Sequence, residues 1–130
     1  MYFPELHKGP HWLRKGLGEF VYVGWLDDGH VFQTGETQTV LREKIHELCR
    51  NPVLRTRGFH ICTLCPRAHN ANARWEAFGT SQQGLGSAEI HVKAADGSIF
   101  LSPNLLHHYM EAHQYLPPAC FLEAVARLCM

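Results

Sequence analysis

The sequence predicts an α+β fold: a small antiparallel sheet built from hairpins and covered by about three helices. Three observations predict it. Runs rich in β-branched and aromatic residues, Phe20 to Leu26 and Ser87 to Val92, are each followed by a turn signal, Asp27-Asp28-Gly29 or Asp96-Gly97. Apolar residues then recur at three- and four-residue steps after Thr37, and again near the C-terminus. The 130 residues are 45% hydrophobic and 18% charged, which suits one globular domain over residues 1–130 with a modest core.

The elements follow in order. Residues 1–18 contain Pro4, Gly9, Pro10, Gly16 and Gly18 and read as an irregular arm, anchored through Phe3, Leu6, Trp12 and Leu13. Phe20 to Leu26 is the first strand, and His30-Val31-Phe32-Gln33 returns beside it as a hairpin. Val40, Leu41, Ile45, Leu48 and Cys49 form one helical stripe, with Thr37 or Thr39 as cap and Asn51-Pro52 as the stop. After a thiol-bearing turn at Cys62-Cys65, residues 67–73 are loop-like. Arg74 to Phe78 alternates as a strand would, and residues 80–86 form a connection. Ser87 to Val92 and Ile99 to Leu101 make the second hairpin around Asp96-Gly97. Ser102 and Pro103 then supply the cap and first position of a helix running to about Gln114. Pro117-Pro118 opens the last helix, striped by Phe121, Leu122, Val125 and Leu128.

Bulk composition excludes several functions. Formal net charge is zero and the pI is near 7.1, so the broad basic field of non-specific nucleic-acid binding is absent. The local group Arg50, Arg55, Arg57 and Arg67 reads as ordinary surface solvation. The N-terminus lacks the basic and apolar regions of a signal peptide, and no apolar run approaches the ~20 residues of a membrane helix. The expected compartment is the cytoplasm. The five cysteines are an odd number; Cys49, Cys120 and Cys129 read as small buried hydrophobes and Cys62 and Cys65 as a metal pair.

Cys62-x-x-Cys65 suits zinc because two intervening residues let the chain turn and aim both sulfurs inward. Two imidazoles from the His107, His108 and His113 stretch would complete a tetrahedral Cys2His2 shell. His108 and His113 are separated by about 500° of helical rotation, or about 140° around the axis, which arms at a helix end can bridge. Structural sites tolerate about three to five intervening residues between histidines, so His107 with His113 is the alternative pair. The preferred ligands are Cys62, Cys65, His108 and His113, and the cofactor is Zn2+. A hairpin leading into a histidine-bearing helix matches treble-clef and other zinc-finger units. A redox CxxC and plain burial of the thiols are the competing readings. His60 is either a replacement ligand, a group that orients a ligand, or a core residue. Glu89 and Glu111 are the carboxylates expected nearest the site, for orienting an imidazole or as a general base. Tyr109 and Tyr115 read as core aromatics with a polar tip.

The chain resembles an uncharacterised family of small bacterial proteins. The resemblance rests on Met1-Tyr2-Phe3-Pro4-Glu5-Leu6, Val23-Gly24-Trp25-Leu26-Asp27 and Asn51-Pro52-Val53. It continues through Arg57-Gly58-Phe59-His60-x-Cys62-x-x-Cys65 and Gly86-Ser87-Ala88-Glu89-Ile90. It ends with Pro103-Asn104-Leu105-Leu106-x-His108-Tyr109, His113, Tyr115, Pro117-Pro118 and Phe121. It implies His108 rather than His107 as ligand, and brings no activity with it.

Two functions from different classes follow. The first is a protein-protein interaction or regulatory module with a structural Cys2His2 zinc, favoured because four protein ligands leave no place for water or substrate. The second is a zinc hydrolase or histidine-metal nuclease with an open position, using His60, His107 or Glu89 for proton transfer. Nucleic-acid binding by the helix itself is disfavoured, since residues 103–118 contain no Arg or Lys.

Overall fold

In the computed structural model, which describes residues 2–12, 16, 18–55, 62–65 and 88–129, these segments form an α+β structure. Five strands, β1 (Lys8–Pro10), β2 (Glu19–Tyr22), β3 (Leu54–Arg55), β4 (Ala88–Lys93) and β5 (Ile99–Pro103), make one mixed sheet in the order β1-β2-β5-β4-β3. The helices are α1 (Thr39–Arg50), α2 (Leu106–His113) and α3 (Ala119–Ala126). No helix among the described residues is long and apolar enough to cross a membrane. The expected strand at Arg74 to Phe78, and His60 with its neighbours, lie outside the described residues.

The β4–β5 hairpin forms where its sequence expects it, with register from Glu89↔Pro103 to Lys93↔Ile99. Its turn uses Gly97 at φ 92°, and the Asp96 carboxylate accepts the Ser98 N–H at 2.9 Å. The first hairpin does not form. Asp28-Gly29 turns, but β2 pairs antiparallel with β1 and parallel with β5, and residues 30–33 leave the sheet. The reason is burial on both faces of β2, with Phe20 and Tyr22 on one side and Val21 on the other, which favours an interior position over an edge. The expected returning segment is drawn to the end of α2 instead: Phe32 packs edge-on against Tyr115, and Thr34 bridges to Tyr115. The sheet is therefore mixed rather than wholly antiparallel.

Two helix starts also differ from expectation. The residue before α1 is Gln38, which makes no side-chain cap; neither Thr37 nor Thr39 caps the helix. Ser102 and Pro103 stay in β5, and α2 begins after Leu105. Pairing across to Glu89 holds Pro103 in the strand, and it sits at the strand's last position, beyond the β2 pairing, where no ladder donor is needed. The Asn104 N–H carries the ladder on to the Ala88 carbonyl. Asn51 does end α1: its N–H reaches the Glu47 and Leu48 carbonyls, and its side-chain amide donates to the Glu47 carbonyl at 3.0 Å.

The sheet separates two apolar clusters. All three helices among the described residues contribute to one, joining Ile45, Cys49, Ile90, Val92, Phe100, Leu106, Tyr109, Phe121 and Val125 with Cys62 and Cys65. On the other face Phe20, Tyr22, Trp25 and Leu101 are covered by Phe3 and Trp12 of the N-terminal arm. The arm is thus more regular than expected, since Lys8–Pro10 is a strand, while Leu6 stays 39% exposed at φ 61°. Val40 falls outside the α1 stripe and is 62% exposed. Of the three cysteines read as buried, only Cys49 is; Cys120 is exposed because α3 turns Phe121, Ala124 and Val125 inward instead, and Cys129, beyond the end of that helix, is exposed as well.

Candidate metal centre

Two segments far apart in the sequence meet at one side of the helical layer. The first is the 62–65 turn, where the Cys65 N–H reaches back to the Cys62 carbonyl at 3.4 Å and brings both thiols to the same side. The second is α2, entered directly from the β4–β5 hairpin, so knuckle, hairpin and helix follow in the order the sequence suggested. The helix places His108 in its first turn and His113 at its last residue, just before Gln114 turns left-handed at φ 56°.

One donor atom from each of Cys62, Cys65, His108 and His113 lies within 4.8 Å of the others, an arrangement that could hold a metal ion. Cys62 Sγ is 3.3 Å from His113 Nε2, and Cys65 Sγ is 3.3 Å from Nε2 of both His108 and His113. Sulfur and nitrogen bound to one tetrahedral zinc would be about 3.6 Å apart, given bonds of about 2.3 and 2.0–2.1 Å. The donors therefore need to move only a few tenths of an ångström outward to enclose an ion of that size. Cys62, Cys65 and His108 are buried and His113 is partly so.

Burial pushes the Cys62 thiol up to about 12, with the neighbouring Cys65 adding to it. The protein by itself thus favours a neutral Cys62 thiol, and a divalent cation is the partner that would stabilise thiolates at this site. Burial also raises the Tyr109 hydroxyl, helped by the charges of Cys62, Asp27 and Cys65; it is the core tyrosine expected beside the histidines. Tyr115 is likewise buried and donates its hydroxyl to Glu5 Oε2 at 2.5 Å.

Other expected neighbours go elsewhere. His107 turns to the α1 side, stacks on His46 with centroids 4.1 Å apart and 18° between planes, and lies 3.5 Å from Glu111 Oε1. One residue along a helix is about 100° of rotation, so His107 and His108 cannot share a target. Glu111 is exposed and pairs with Arg42. Glu89 is on the opposite face of the sheet, where Trp12 Nε1–H donates to its Oε1 at 2.6 Å and His11 Nε2 lies 2.7 Å from its Oε2. Burial opposes ionisation of Glu89, but the nearby His91, 3.6 Å away, and the contacts with His11 and Trp12 outweigh it and hold the carboxyl below its ordinary value.

Sequence reasoning missed the tether of the knuckle. The Thr63 hydroxyl donates to Asp27 Oδ1 at 2.5 Å and accepts the Asp28 N–H at 2.9 Å, fastening the thiol turn to the Asp27-Asp28-Gly29 turn. That hydrogen bond from Thr63 is the main reason the Asp27 carboxyl sits below the usual range. The available signal was a hydroxyl residue between the cysteines and an acidic turn, but nothing in their order pairs them.

A family model described as a domain of unknown function (DUF7919) matches residues 1–126. No curated protein and no solved structure matches the chain.

Proposed function

The chain belongs to this family of unknown function, and from that premise we propose that it is one zinc-bearing domain over residues 1–130 whose Cys2His2 site is structural. Its work is done by a surface that binds another protein in the cytoplasm, as an interaction or regulatory module. The single observation that carries the reading is the convergence of Cys62, Cys65, His108 and His113 with sulfur-to-nitrogen separations of 3.3 Å. Two thiolates and two neutral imidazoles match zinc's preference for soft and borderline donors in a tetrahedral shell. Four protein ligands saturate that shell, so the ion supplies cohesion and not a site for water or substrate. Among the described residues, the Thr63 hydrogen bonds and the apolar packing of Cys62, Leu64 and Cys65 help hold the thiol turn to the rest of the molecule. A bound ion would cross-link it to α2, and its binding energy becomes folding energy.

Metal analysis of protein purified without chelator tests this. One zinc per chain, with a large fall in melting temperature on chelation or in the Cys62→Ser variant, is the expected result. Absence of stoichiometric metal overturns the zinc reading. X-ray absorption showing three protein ligands and a water would instead assign the site to catalysis.

A further inference from the structure

A groove of about 350 Å³ lies between the start of α1 and the outer side of α3, and none of the four metal-site residues lines it. The composition of α3 explains its floor. Only Glu123 is charged among the eight residues of that helix. Phe121, Ala124 and Val125 face the core, while Ala119, Leu122 and Ala126, three and four residues apart, fall on a second face. Ala119 and Ala126 are exposed and Leu122 is partly buried. Together with Leu41 of α1 they make the apolar floor. A helix that is apolar on two faces has more surface to cover than the core of this chain takes up.

The charge around this floor is of one sign. Glu36 and Glu123 line the groove, and no Lys, Arg or His does. Neither acid forms an ion pair among the described residues. Cations on α1 are committed elsewhere. Arg42 acts on Glu36 from outside the groove but is bonded to Glu111, and Lys44 donates to the Ala126 and Leu128 carbonyls. Thr37 also lines the groove; it is only 8% exposed, and its hydroxyl has no hydrogen-bond partner. A buried hydroxyl left unpaired is costly, and a polar group of a segment seated in the groove would pair it.

We propose that this groove docks a basic amphipathic segment of a partner protein, with apolar side chains on Leu41, Leu122 and the two alanines and Lys or Arg against Glu36 and Glu123. The proposal rests on the interaction-module reading above and gives it a surface and a partner chemistry. Two carboxylates beside an apolar floor favour such a segment over an acidic one, which would set like charges against each other.

Two synthetic helical peptides of about 15 residues test it. Both carry the same stripe of leucine and alanine, one with lysine and the other with glutamate at the remaining positions. Each is titrated into the full chain with labelled leucine methyl groups. The lysine peptide should shift the Leu41 and Leu122 resonances, leave Leu101 on the other face of the sheet unmoved, and bind more than about tenfold tighter than the glutamate peptide. The Glu36→Gln/Glu123→Gln double variant should bring the two affinities together. Leu122→Lys should abolish binding while keeping the circular dichroism spectrum. Leu41 and Leu122 methyl groups unmoved by the lysine peptide at millimolar concentration overturn the proposal. Equal affinity for the two peptides, or a preference undiminished in the double variant, overturns it as well. Zinc content of the same sample separates the two readings: zinc-loaded protein that binds neither peptide sinks the groove alone, and metal-free protein that binds the lysine peptide upholds the groove while sinking the zinc assignment.

Discussion

At the residue scale, adjacent histidines have unrelated surroundings. His107 is stacked on His46 and partly exposed, and burial with the nearby His46 lowers its pKa, while His108 is buried against the Cys65 sulfur. His107→Ala should therefore retain one zinc per chain. His113→Ala should weaken zinc by more than about 100-fold, since even partners that only orient a ligand are worth about 10–100-fold. Competition with a chromogenic chelator reads both. Thr63→Ala removes two hydrogen bonds that hold the thiol turn to residues 27 and 28. A cost of about 0.5–1.5 kcal/mol is expected in denaturant unfolding, without loss of metal stoichiometry. The spacing of Cys62 and Cys65 could be read directly because the ligands of a half-site are local. The partner of Thr63 could not, because Asp27 is 36 positions away.

Among the elements, α2 and the segment after β2 rest on two backbone positions. Gly24 has φ 76°, and a Cβ there would come within 2.9 Å of Leu106 Cδ1 and 3.2 Å of Ser102 Oγ. Gly24→Ala combines a left-handed backbone with a crowded contact at the start of α2. It should cost more than about 1 kcal/mol of stability in thermal or denaturant unfolding. Gln114 also lies in the left-handed region, at φ 56°, immediately after α2, and its exposed side chain makes glycine the better residue. Gln114→Gly should stabilise by up to about 1 kcal/mol, and raise the melting temperature of metal-loaded and metal-free protein alike. The second hairpin and the helix stripes were legible, since Asp96-Gly97 and three- and four-residue periods are local signals. Ser102-Pro103 misled because the same pair fits a helix start and a strand end. Only the Glu89↔Pro103 pairing decides between them.

For the whole molecule, Glu89 joins β4 to the N-terminal arm through His11 and Trp12, and its carboxyl is held below its ordinary 4.5. A depressed carboxyl contributes stability that is fully present above its unfolded value and is lost as pH falls through its folded one. Glu89→Gln should therefore be less stable than the native protein near neutral pH, and the gap should close as pH falls below about 4. Paired chemical unfolding curves of the two proteins from neutral to acidic pH measure it, and a gap independent of pH contradicts the assignment.

The sequence by itself determined the α+β class, the thiol turn, the stretch of helix bearing His108 and His113, and the final helix behind Pro117-Pro118. These follow from periodicity, turn chemistry and ligand spacing, which act over a few residues. Only the tertiary structure decided that β2 runs parallel to β5, that residues 30–33 leave the sheet, and that Glu89 faces the arm rather than the metal centre. Those choices depend on which buried face meets which partner across the whole chain. A strand apolar on both sides, such as Phe20-Val21-Tyr22, does not say which neighbours will cover it.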